Sequence, residues 1–357
     1  MKTKDIKDKL KKKKTKKDKP LYLSTGSTLL NLACSGKVQG GFRAGKYYFL
    51  VGDSASGKTF LSLTCLAEAG INPAFGDYRF IYDNSEDGAL MDIKKFFGPA
   101  VSRRMEAPST EKDGTPTYSS SIEEFYFHID DAFSVGKPFI YILDSMDSLT
   151  TEDEGKKFDE HKKAHRKGKQ AKGSYGDGKA KKNSTNLRRL LTPLKKSNSI
   201  LIVISQTRDN LGFGFETKTR SGGRSLRFYA TLEIWSSIKG KITKGVKGKI
   251  RQLGIKCLCK IKKNRMTGKE SSVVIPIYHS YGIDNIGGCI DYLIEEDHWD
   301  VAGKKINAVE FGVALTADKL IAYIEENEKE YELHKIVGTV WKEIEEACAV
   351  KRKQKYK

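Results

Sequence analysis

The chain has 357 residues, 38% of them hydrophobic, and a formal net charge of +20. That length accommodates one large or two modest domains, and no apolar run approaches the roughly 20 residues that a membrane span requires. A Lys-rich start without an apolar stretch excludes a secretory signal, and six cysteines without C-x-x-C spacing point to a reducing, cytoplasm-like compartment. The charge is concentrated. Residues 1–20 hold eleven Lys against three Asp, residues 156–182 hold eleven Lys or Arg against three acids, and Lys351–Lys357 holds five cations. The rest of the chain is close to neutral, so these three appendages read as polyanion-binding arms. Solubilising or targeting tails are the alternative, chiefly for the first.

In chain order, residues 1–20 are low-complexity and expected to be disordered. The apolar run Tyr47–Val51 predicts a strand, and the pattern after Thr59 predicts a helix. Another strand is expected at Arg79–Tyr82. A helix over about Ser121–Val135 places Ile122, Phe125, Tyr126, Ile129 and Phe133 on one face. Phe139–Leu143 is a wholly apolar strand that runs into Asp144. Residues 152–182 are polar, rich in Gly and Lys and without periodicity, which predicts a long loop. A helix over about Ser184–Ser197 leads into a buried strand, Ile200–Ile204, and a second, Gly-rich loop is expected at 208–223. Strand-like runs follow at Tyr229–Trp235, Ile255–Ile261 and Ser272–Tyr278. Cys257 and Cys259 alternate along the second of these, which points both to one face and suggests packing, not zinc. Beyond about Ile286 the pattern turns helical. The reading is an α/β fold, a mostly parallel sheet between helices with ligand at the strands' carboxyl ends. Its core spans residues 21–285, with a small lobe at 286–350 and a basic tail at 351–357.

The most informative segment is Gly52–Thr59, GDSASGKT, which fits the phosphate-loop pattern at every fixed position between a predicted strand and helix. In that setting Gly52, Asp53, Ser54, Ala55, Ser56 and Gly57 turn backbone N–H groups toward phosphate, and the helix N-terminus favours negative charge. Lys58 neutralises the β/γ-phosphates of ATP and the Thr59 hydroxyl ligates Mg²⁺. Hydrolysis also needs a carboxylate on the metal side and a group that activates water. Asp144, at the end of an apolar strand, suits the first; a helix N-cap is the bland alternative. Asp83 and Glu86 are the candidates for the second, and either could instead be a surface acid opening a helix. Gln206, ending the next buried strand, is placed to sense a γ-phosphate and pass its presence into the 208–223 loop.

These pieces, in this order, resemble the RecA family of homologous-recombination ATPases over roughly Leu23 to Ile306. The likeness is carried by LSTGSTLLNLACSG, GDSASGKT, ILDSMDSLT, LLTPLKKSNSILIVISQTR, SGGRSLRFYATLEI and the late KKNR. The resemblance implies a RecA-like ATPase core with a small C-terminal α/β lobe. It also implies DNA-dependent ATP hydrolysis with Mg²⁺, assembly into a helical filament on single-stranded DNA, and strand exchange with homologous duplex DNA. Within that resemblance Glu86 falls on the catalytic glutamate and Gln206 on the glutamine that couples ATP to DNA affinity. Residues 152–182 and 208–223 fall on two DNA-binding loops. Lys181, Ser184, Arg188, Arg208, Gly222, Gly223 and Arg224 match backbone-contacting positions, and Leu211 matches an apolar wedge between base triplets. Lys263 and Arg265 match positions that reach ATP across a subunit interface.

The sequence departs from the family at four points. A Lys-rich arm stands where a docking helix is expected, and Ile93 replaces an adenine-stacking tyrosine. The first DNA loop is longer and more basic, and the tail is basic where bacterial members are typically acidic. Two other readings stand beside the recombinase: a hexameric replicative helicase, and a single-strand-binding or mediator protein that uses ATP as a switch.

Overall fold

In the computed structural model the described residues are 19–88, 91–167, 178–209, 218–220 and 224–353, with backbone alone for 208, 209 and 218–220. The predicted N-terminal arm lies outside the described residues except for Lys19 and Pro20. So do Leu211, Gly222, Gly223 and the last four residues of the tail.

One twisted sheet organises the chain. Its main strands are β1 (Lys46–Gly52), β2 (Arg79–Asp83), β3 (Phe139–Leu143), β4 (Ile200–Asp209), β5 (Leu232–Val246), β6 (Lys249–Asn264) and β7 (Ser271–Tyr278). They lie in the order β7-β6-β5-β1-β4-β3-β2, with the short strands Gly282–Ile283 and Met105–Glu106 on the two edges. From β5 to β2 every pairing is parallel, whereas β5, β6 and β7 are joined antiparallel. The continuous apolar runs follow from burial on both faces; all five residues of β3 are completely buried.

Ten helices occur among the described residues, and all but α5 bury residues: α1 (Thr28–Ser35), α2 (Lys58–Ile71), α3 (Ile93–Arg104), α4 (Ile122–Ser134), α5 (Glu152–Arg166), α6 (Gly178–Ser197), α7 (Arg224–Tyr229), α8 (Asn285–Glu295), α9 (Ala317–Glu326) and α10 (Glu330–Ala347). Strand alternation divides the core accordingly. Tyr47, Phe49, Tyr141, Leu201 and Val203 pack with Phe125 and Ile129 of α4 and Leu187 and Leu190 of α6. Their neighbours Tyr48, Leu50, Ile140, Ile142 and Ile202 pack on the opposite face with Leu61 and Leu66 of α2. Helix α4 starts where its sequence dictates, at a capping box in which Ser121 and Glu124 satisfy each other's backbone N–H groups. The C-terminal residues build α8, a three-stranded antiparallel sheet (Asp300–Ala302, Lys305–Ala308, Val313–Leu315), α9 and α10. Their buried Ile290, Leu293, Leu320, Leu333 and Val337 belong to the same apolar cluster as α1 and the inner side of β6 and β7.

Two expectations need correction. Residues 152–182 are not one loop: 152–166 form α5, and 178–182 open α6. Helix α5 buries no residue, so apolar periodicity could not reveal it. It rests on local terms, a Thr151/Glu154 capping box with acids in its first turn and Lys163, His165 and Arg166 in its last. The second correction concerns β5 and β6, which run 15 and 16 residues and form a long hairpin instead of two short strands.

Candidate functional site

The parallel strands end together, and the site lies along that edge. Gly52, the last residue of β1, pairs in register with Gln206 of β4. A Cβ on Gly52 would stand 2.2 Å from Ser236 Oγ and 2.4 Å from the Ser236 carbonyl oxygen, so a side chain has no room there. The chain then turns through left-handed conformations at Ala55 (φ 58°) and Gly57 (φ 92°) and enters α2 at Lys58. Gly57 gives α2 no side-chain cap, which leaves the helix's first N–H groups open to an anion. The Lys58 ammonium folds onto the loop, donating to the carbonyls of Gly52 at 2.9 Å and Asp53 at 2.7 Å. Burial pushes its pKa below the ordinary lysine value, opposed by the carboxylates of Asp144, Glu86, Asp147 and Asp53.

Beside the loop, Thr59 Oγ1 donates to Asp144 Oδ2 at 2.6 Å, and the Tyr82 hydroxyl donates to the same oxygen at 3.1 Å. Burial raises the Asp144 pKa, with the Thr59 and Tyr82 hydrogen bonds working against it. A hydroxyl and a carboxylate oxygen converging beside a loop of open N–H groups suit a hard cation that completes its shell with phosphate and water. Thr59 and Asp144 thus fit Mg²⁺. Glu86 faces the same cavity. Its Oε1 accepts from Ser145 Oγ and, at 3.0 Å, from Gln206 Nε2. A cavity of about 220 Å³ is lined by Ser54, Lys58, Thr59, Glu86, Asp144 and Gln206, with Ala55, Gly88, Ser145 and Ile204 completing the wall.

Asp83 is placed elsewhere. Its side chain is completely buried and accepts from Ser119 N at 2.9 Å, Ser119 Oγ at 2.6 Å and the Tyr141 hydroxyl at 2.7 Å. Of the two candidates for activating water, Glu86 lines the cavity and Asp83 does not.

Lys263 and Arg265 lie away from the chain's own phosphate loop. Arg265 N donates to the Thr231 carbonyl and Thr231 N to that of Tyr47, near the start of β1, and Glu233, which pairs with Lys263, pairs with Phe49 at its middle, whereas the loop begins at the other end of that strand. Lys263 Nζ donates to the carbonyls of Arg227 and Phe228 at 2.6 and 2.8 Å, and Arg265 Nη2 to that of Phe228 at 2.7 Å. Lys181, Ser184 and Arg188 recur along one side of α6, while Asn183, Leu187, Leu190 and Leu194 are buried on the other. Arg188 Nε donates to the Tyr229 hydroxyl at 3.1 Å, and Ser225 Oγ to the Ala180 carbonyl at 3.5 Å, which sets Arg224 at the start of α7 beside the start of α6. The backbone of Arg208 belongs to a small antiparallel pairing of residues 207–209 with 218–220. Ile93 follows the Asp92 cap of α3 and packs against the core.

Sequence reasoning missed the groups that hold these residues in place. Tyr82 and Ser145 bind Asp144 and Glu86, and Asp147 Oδ2 accepts from the Gln206 backbone N–H at 2.7 Å; the side chain of Asp53, a residue named for its backbone, accepts from Thr207 Oγ1. The sequence offered one usable signal, the segment Asp144–Ser148, polar but for Met146, directly after the apolar β3.

This fold and edge define the class of α/β proteins with a RecA-like core, a mostly parallel sheet between helices with a phosphate-loop sequence at its carboxyl edge. The RecA N-terminal domain model matches residues 140–284, a span that includes Asp144, Gln206, Lys263 and Arg265. Protein RecA of Chloroherpeton thalassium is 26% identical over 282 residues, covering 76% of this chain and 68% of its own length. The same-named protein of Acinetobacter baylyi is 25% identical over 311 residues (85% and 78%). That of Malacoplasma penetrans is 24% identical over 320 residues (88% and 86%). The domain match and these relatives, at 24–26% identity, support a divergent member of the RecA family.

Proposed function

We propose that this protein is a DNA-dependent ATPase that assembles on single-stranded DNA and promotes homologous pairing and strand exchange. The observation that carries the reading is the convergence of Lys58, Thr59, Asp144, Glu86 and Gln206 on one cavity at the carboxyl edge of the sheet. Bound Mg²⁺, held by Thr59 and Asp144, would supply positive charge against the β/γ-phosphate oxygens. Lys58 exchanges its two loop carbonyls for phosphate oxygens, a trade favoured because those oxygens carry full charge. Glu86 orients the attacking water and accepts its proton.

Coupling to DNA runs through Gln206. Its amide holds Glu86, its backbone N–H is held by Asp147, and β4 continues from it into the 208–223 segment. DNA contacts made by that segment change how the amide lies and so whether Glu86 is free to act. Lys181, Ser184, Arg188, Arg208 and Arg224 supply phosphate contacts. Lys263 and Arg265, distant from their own loop, complete the site of a neighbouring protomer, which makes hydrolysis a property of the assembly.

The test is ATP hydrolysis at fixed salt, titrated with single-stranded DNA over a series of protein concentrations. The expected result is strong stimulation by DNA with a rate that rises cooperatively with protein. Tight DNA binding without stimulated turnover would reject the motor and leave a nucleotide-switched binding protein.

A further inference from the structure

The β5–β6 hairpin runs well past the rest of the sheet. On one edge β5 leaves β1 at Ser236, which pairs with Gly52. On the other edge β6 first meets β7 at Gly254, which pairs with Tyr278. Between those points, residues 243–252 pair with each other alone, closing through Lys247 (φ 51°) and Gly248 (φ 72°). Two successive positive φ values define the tight turn that matches the twist of a hairpin. At about 3.3 Å per residue, this free ribbon reaches roughly 15 Å beyond the sheet. It leaves from the carboxyl edge of β5, the edge that also carries the phosphate loop.

Its charge is one-sided. Between Ser237 and Leu253 the chain has six cations, Lys239, Lys241, Lys244, Lys247, Lys249 and Arg251, and no Asp or Glu. All six are exposed. Lys244 and Arg251 are direct cross-strand partners, an arrangement of like charges that weakens a hairpin. Among the described residues none of the six forms an ion pair, whereas Lys256, just inside the sheet, pairs with Asp291 at 2.9 Å. Such an arrangement costs stability in the isolated protein and is relieved by an external polyanion.

The geometry points to the β5–β6 ribbon as a duplex-DNA-binding arm, with Lys244, Lys249 and Arg251 contacting phosphates. A two-stranded antiparallel ribbon fits the major groove of B-DNA, about 12 Å wide and 8.5 Å deep. The choice of DNA among polyanions rests on the proposed function; the ribbon's shape and charge do not.

The experiment compares the full chain with a Lys244→Gln/Lys249→Gln/Arg251→Gln variant, measuring duplex DNA affinity across a salt series without ATP. Each lost phosphate contact lowers the slope of log affinity against log salt by about 0.9. The expected result is at least a tenfold loss for duplex at low salt and a slope smaller by about 2 to 3. Single-stranded-DNA-stimulated hydrolysis stays unchanged, and Lys244→Arg/Lys249→Arg retains full duplex affinity. In the unsubstituted chain, duplex should also shield Lys244 and Lys249 from acetylation, read by mass spectrometry. Unchanged duplex affinity and slope would overturn the proposal. So would an equal loss for single strands, or a variant that merely aggregates, since edge lysines can serve that purpose alone. Weaker binding to phosphatidylserine vesicles with duplex affinity intact would assign the ribbon, with its exposed Val246 and Ile250, to a membrane surface instead. A chain whose hydrolysis ignores DNA would remove the proposed function while leaving the duplex measurement readable.

Discussion

Asp83 and Asp144 end neighbouring parallel strands, and each accepts a hydrogen bond from a strand tyrosine, Tyr141 for the first and Tyr82 for the second. Burial raises the pKa of both. Their surroundings then diverge. Ser119 closes over Asp83 with its N–H and hydroxyl, so the carboxylate is used up by the fold. Asp144 is instead met by Thr59 and opens toward a cavity where Lys58 and Glu86 also point. A buried carboxylate becomes a working group where its remaining partners can be exchanged for a ligand; where they are fixed backbone and core groups it is a structural element.

The largest expected effect tests the open side of that comparison. Glu86→Gln should lower DNA-stimulated ATP turnover by about 10² to 10⁴-fold, the usual contribution of a general base, while nucleotide and DNA binding persist. Turnover equal to that of the unsubstituted chain would return the role of base to another residue.

The closed side should answer to stability instead. Asp83→Ala leaves the Ser119 N–H and the Tyr141 hydroxyl buried without their Asp83 acceptor and should cost about 3 kcal/mol, read from denaturant midpoints. Turnover per folded molecule should not change. The tyrosines divide the same way, with smaller effects. Tyr141→Phe should lose about 1.5 to 3 kcal/mol of stability, as for a hydrogen bond to a charged group, with activity intact. Tyr82→Phe should alter turnover a few-fold with less loss of stability. Equal behaviour of the two variants would erase the distinction between the pockets.

The smallest effect is one of pH. Because Asp83 is raised by burial, the folded protein holds that proton to higher pH than the unfolded chain does. Its contribution to stability is complete below the unfolded value of about 3.9 and is lost as pH rises through the folded pKa. Asp83→Asn does not titrate. Unfolding midpoints measured from about pH 4 upward should therefore show the variant gaining on the unsubstituted chain as pH rises. A constant difference would mean that the Ser119 and Tyr141 hydrogen bonds cancel the burial entirely.

Much of the fold was legible because it is written locally. The phosphate loop needs particular residues at particular spacings. The fully buried β3 reads as an unbroken apolar run, and α4 announces both its cap and its inner face. The long hairpin was not legible, because alternating Lys and Gly carry no apolar period and the ladder depends on partners across the turn. Helix α5 escaped for a related reason: a helix that buries nothing leaves no hydrophobic pattern. Counting charge by segment also missed the ribbon, whose six cations are offset by acids elsewhere along the remaining chain.

The sequence by itself determined a phosphate-loop pattern between a strand and a helix, within an α/β chain that carries strongly basic segments. The family resemblance already favoured Glu86 over Asp83 and put Lys263 and Arg265 across an interface; only the tertiary structure supplied the partners that hold Asp83 in the core and Glu86 on the cavity, and carried the β5–β6 cations out beyond the sheet. Residue type and spacing fix local backbone geometry. Strand order and register decide which groups meet, and those depend on contacts between residues far apart in the chain.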